Sequence, residues 1–145
     1  MRIRSMVAAV AATGAIVGTG VAVAPAAMAS DAFCGSSYNQ IWGPHSIYTQ
    51  QGHYAGDVYL TYSSSTGKNC AYFLISSGTR GSLGYGHSIR IENESNYNSS
   101  QPDSGYFEKF AGPVYVYAPN ACVKIFASVY STYDDAQYSS PNLGC

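Results

Sequence analysis

From residue 57 onward the chain alternates between apolar and polar positions in short runs, and no window of helical length holds a 3.6-residue period. Residues 57–62 (DVYLTY) put Val58, Leu60 and Tyr62 on one face and Tyr59 and Thr61 on the other. The polar segment 63–69 offers Gly67 for a turn. Residues 70–76 (CAYFLIS) return as a more continuously apolar strand, which predicts a hairpin. Residues 85–92 (YGHSIRIE) set His87, Ile89 and Ile91 against Ser88, Arg90 and Glu92. Further strands are predicted at 106–110, at 113–118 (PVYVYA) and at 121–130 (ACVKIFASVY), with an edge strand within 132–138. The stretch before residue 57 reads as loop-rich, 77–84 as a Gly/Ser loop and 93–105 as the longest polar loop. The sum is an all-β domain of roughly six to eight short strands, a small antiparallel sandwich or Greek-key barrel.

The first 29 residues stand outside this pattern. Arg2 and Arg4 precede an Ala/Val-rich stretch, and Ala27-Met28-Ala29 meets the small-x-small rule of signal peptidase. The stretch is free of Leu and rich in Ala and Gly, unlike a membrane span, which predicts a cleaved signal peptide over 1–29. One secreted β domain, 30–145, follows. Removing the leader changes the composition. All three methionines leave with it, as do two of the seven basic residues, so five basic residues face eight acidic ones. A chain with that balance lacks the basic surface that a phosphate-backbone binder needs, so no nucleic-acid partner is expected. Leu, Ile, Val and Phe supply only 20 of the remaining 116 residues, whereas all 14 tyrosines remain, so tyrosine must supply much of the core.

Export gives meaning to the four cysteines, Cys34, Cys70, Cys122 and Cys145. Their closest spacing is 23 residues, far from the tight pairs of zinc sites, so two disulfides are expected. Three pairings are open on sequence alone. The sequential one, Cys34–Cys70 with Cys122–Cys145, closes moderate loops and is favoured, with about 3–4 kcal/mol of stabilisation each from loop-closure entropy. It would tie down both ends of the domain.

The segments YLTYSSSTGKNC (59–70) and FAGPVYVYAPNACV (110–123), the start Cys34-Gly35-Ser36-Ser37-Tyr38 and the terminal Cys145 resemble the spore-associated protein A family of Streptomyces-type actinobacteria. The resemblance spans most of the chain from Cys34 onward. It departs at Lys124-Ile125-Phe126 and in the 93–105 loop. It implies a small secreted protein found with spores or in culture fluid, and it brings no catalytic residues.

Chemistry is sparse. His87 alternates with Ile89 and Ile91 and is predicted to be half-buried with its hydrogen bonds met, while His45 and His53 are predicted to be solvated. None sits in a nucleophile motif. The acids Asp57, Glu92, Glu94, Asp103, Glu108, Asp134 and Asp135 fit no carboxylate-pair motif, and neighbours such as Asp134 and Asp135 on a strand point to opposite faces. Residues 95–100 (SNYNSS) and 134–139 (DDAQYS) are near misses to a calcium-binding loop, so neither a metal site nor a cofactor is assigned.

The tyrosines carry the one strong signal. Tyr59, Tyr115 and Tyr117 lie opposite the aliphatic faces of their strands. They either pack beneath another layer, which the scarcity of aliphatic residues favours, or form a platform for spore or cell-surface polymer or a secreted protein. The resulting expectation is a non-enzymatic, extracellular or spore-surface protein. A secreted protease inhibitor or toxin-like protein with a reactive loop at 93–105 or 76–84 is the alternative, and a small hydrolase the third.

Overall fold

A computed structural model describes residues 31–145. The proposed leader, 1–29, lies outside the described residues, as does Ser30. Eight strands form: β1 (Asn39–Tyr48), β2 (Tyr54–Ser63), β3 (Lys68–Ile75), β4 (Gly86–Asn93), β5 (Asp103–Gly105), β6 (Phe110–Tyr117), β7 (Val123–Tyr130) and β8 (Ala136–Ser139). They make two four-stranded antiparallel sheets, ordered β1-β2-β3-β6 and β5-β4-β7-β8, packed face to face as a sandwich.

The core is the sum of the inward faces. Val58 and Leu60 from β2, Ala71 and Phe73 from β3 and Val114 and Val116 from β6 meet Ile89 and Ile91 from β4 and Ile125, Ala127 and Val129 from β7. The alternation in the sequence is therefore the alternation of burial. β2 and β3 pair from Gly56↔Ile75 to Ser63↔Lys68, the expected hairpin, with Gly67 at φ 67° in its turn. Trp42, His45 and Tyr138 stack in succession, at 5.3 and 4.4 Å between ring centroids, and link β1 to β8 along one side of the sandwich.

Three local expectations change. β1 occupies a stretch read as loop; its register shifts around Trp42 and His45 interrupt the alternation that would have marked it. No strand forms at 106–109. β5 instead lies at the end of the segment read as loop, pairing with β4 through Ser88↔Ser104, and β6 begins at Phe110. A three-residue 3-10 turn, Gly81–Leu83, sits in the Gly/Ser loop.

Both disulfides follow the sequential pairing, Cys34–Cys70 and Cys122–Cys145. The first anchors a strap, residues 31–38, onto the outer face of the first sheet. That strap explains why CAYFLI reads as continuously apolar: Ala71 and Phe73 face the other sheet, while Cys70 and Tyr72 are buried beneath the strap.

Candidate functional site

The outer face of the first sheet is built from the aromatic positions of β2, β3 and β6. Phe33 from the strap lies between Phe110 and Tyr72, at 5.1 and 4.6 Å, and Tyr72 stacks on Tyr59 at 4.9 Å and 10°. Four rings thus run across the sheet. Beside them Tyr38 meets Tyr115 edge-on at 5.6 Å, and the Tyr115 hydroxyl donates to the Cys34 carbonyl. Asp31 organises the strap. One carboxylate oxygen accepts from the Phe33 and Cys34 amides, and the other accepts from the Tyr72 hydroxyl at 2.8 Å. Burial and this bond to a carboxylate raise the Tyr72 phenol, since both disfavour phenolate.

The three platform tyrosines therefore differ in setting. Tyr59 is half-buried and stacked, Tyr115 is 39% exposed and tethered, and Tyr117 stands out at 61%. The strap residues that complete this face, Asp31, Phe33 and Tyr38, carry no periodic signal. Only the family-like CGSSY start pointed toward them.

Two histidines depart from expectation, and the third is exposed as expected but paired with a carboxylate. His87 is completely buried, and neither ring nitrogen has a hydrogen-bond partner. Burial pushes it down to about 4, against weaker upward pulls from the nearby Thr79 backbone, which falls short of hydrogen-bond geometry, and from the Glu108 carboxylate. His45 is a member of the Trp42–Tyr138 stack rather than a solvated ring. His53 has a side chain 56% exposed, yet its Nδ1 lies 2.8 Å from Oδ2 of the buried Asp134. Burial would raise the Asp134 carboxyl, but hydrogen bonds from Thr49, His53 and the Gln51 amide outweigh it and hold the carboxyl low. With the carboxylate at Nδ1, the neutral ring keeps its lone pair on Nε2. His53 also borders a depression of about 410 Å³ with Ser76 and Ser77. The Ser76 hydroxyl is spent on the Tyr54 carbonyl, and among the described residues no hydrogen bond joins His53 to a serine.

The two calcium-like segments use their side chains locally. Asn93 and Asn96 accept from the amides of Ser95 and Asn98, which folds the 93–98 turn. Asp134 is committed to His53 and Gln51. Among the described residues no three His, Cys, Asp or Glu side chains cluster as metal ligands.

Comparison with known proteins settles the kinship. Over 116 residues, 78% of this chain and 72% of the relative, the sequence is 40% identical to the spore-associated protein A of Streptomyces coelicolor. The chain belongs to the spore-associated protein A family. No protein-family model matches it, and no solved structure does. For a spore-associated protein A relative, the described surface offers chiefly depressions and exposed tyrosines, including Tyr48, Tyr97 and Tyr133.

Proposed function

We propose that the chain is a secreted, non-enzymatic protein that adheres to spore or cell surfaces through surface polymer or another secreted protein. The carrying observation is its 40% identity to a protein named spore-associated. Two disulfides suit an oxidising extracellular setting, and the leader reading supports export. Exposed tyrosines on a rigid sheet lower the ordering cost of adhesion, because rings on strands lose little freedom on contact.

The test is fractionation of a sporulating culture that expresses the full chain with an epitope tag. The tagged protein is expected in the culture fluid and on washed spores, with its N-terminus at Ser30. Retention in the cytoplasm with an intact leader would overturn the reading.

A second reading, a small hydrolase, has one observation in its favour, the His53–Asp134 pair with an open Nε2. It requires that activated esters be cleaved by the purified protein and that His53→Ala abolish the cleavage. On the non-enzymatic reading, turnover stays at the background rate of buffer.

A further inference from the structure

The outer face of the second sheet carries an unusual row. Ser104, Ser88, Ser128 and Gln137 stand opposite one another on β5, β4, β7 and β8, in unbroken register across all four strands. At the strand spacing of a sheet, that row is about 14 Å long. Aromatic residues flank it on both sides. On one side Arg90 lies over the Phe126 ring at 4.1 Å, with Ser139 opposite Phe126. On the other, the Tyr130 ring covers Gly86, where any Cβ would run into it, and Tyr106 meets that ring edge-on. A depression of about 390 Å³ opens here, bordered by Pro102, Arg90, Phe126, Ser128, Gln137 and Ser139.

An ordinary solvated sheet face carries charge, especially along an edge strand. The β8 edge of this one shows only Gln137 and Ser139. The charges nearby are neutralised in pairs, Arg90 with Glu92 at 2.6 Å and Lys124 with Glu94 at 2.9 Å. Ser104 donates to Ser88, while Ser128, Gln137 and Ser139 make no side-chain hydrogen bond among the described residues. The row thus offers groups that both donate and accept, flanked by aromatic rings and without net charge. An anionic polymer would find no excess positive charge. A neutral sugar chain presents what this surface complements, hydroxyls along its edges and apolar C–H faces for the rings.

We infer that this groove is a binding site for a neutral polysaccharide, running across the strands from Ser104 to Gln137. The inference rests on the surface-adhesion reading and names the polymer class.

Co-sedimentation of the purified protein with insoluble chitin, cellulose and starch, beside washed spores, tests it. The wild type is expected to sediment with at least one of the three polysaccharides. Ser128→Ala/Gln137→Ala removes two hydrogen-bonding groups and should weaken that retention roughly tenfold or more. Ser128→Asp, which places a charge in the row, should do the same, and both variants should unfold thermally like the wild type. Lys68→Ala, an exposed position at the start of β3 on the other sheet, should bind as the wild type does. Retention unaffected by either groove variant would overturn the inference, as would failure to bind any of the polysaccharides. If spores retain the protein while all three polysaccharides do not, surface adhesion survives and the polysaccharide site falls. If spores also fail to retain it, both fall.

Discussion

His87 shows how one residue sets the response of the whole chain to acid. Its ring is enclosed, close to Phe73 at 5.9 Å, and has no hydrogen-bond partner. A folded value of about 4 against 6.5 for a free imidazole means that the unfolded chain binds the extra proton first. Stability is therefore complete above about pH 6.5 and falls as pH drops toward 4, by about 3 kcal/mol in all. Asp134, held low in the folded state, adds a further loss in the carboxylate range with the same sign. Urea unfolding at a series of pH values measures both. His87→Leu should flatten the limb between pH 6.5 and 4 and leave neutral-pH stability equal or higher, because an unsatisfied polar group leaves the core. An unchanged acid limb in that variant would assign the loss to other groups. The alternation of His87 with Ile89 and Ile91 was legible in the sequence; its lack of partners was not, because that depends on what the Thr79 and Glu108 segments bring over it.

Among the elements, the strap and β3 depend on each other. The apolar run of β3 needs cover on both faces, and residues 31–38 supply the outer one through Cys34, Phe33 and Tyr38. Replacing both cysteines, Cys34→Ala with Cys70→Ala, is expected to cost about 3 kcal/mol and to open the strap to limited proteolysis ahead of the rest of the chain. Cleavage confined to other loops would show that Asp31 and the ring stack hold the strap unaided. The hairpin of β2 and β3 and the faces of β4 and β7 were readable because each strand there repeats every two residues without interruption. β1 was hidden by its register shifts. β5 was hidden by being three residues long inside a polar segment. The Ser104–Ser88–Ser128–Gln137 row was equally hidden, since its members lie on four strands and become neighbours only by pairing.

For the whole molecule, a latch joins the two sheets where the β1–β2 turn meets the loop before β8. The Gln50 amide donates to the Asp135 carbonyl, the Gln51 amide donates to the Asp134 carboxylate, the Gln51 side chain donates to the Tyr133 carbonyl, and His53 closes the set on Asp134. Asp134→Ala leaves the Gln51 amide and the His53 ring without their acceptor. Faster hydrogen exchange at residues 49–53 and 131–135 is expected, with the β3, β4 and β7 amides unaffected. Uniform acceleration across the core would mean instead that the latch supports global stability. The sequence by itself determined the all-β class, the inward faces of β2, β4, β6 and β7, the expectation of two disulfides and, through its family-like segments, the kinship, because these follow from local periodicity and residue identity. Only the tertiary structure decided which tyrosines are covered, which histidine is isolated and which carries a carboxylate. It also aligned four short polar side chains into a groove, because those outcomes arise from contacts between segments distant along the chain.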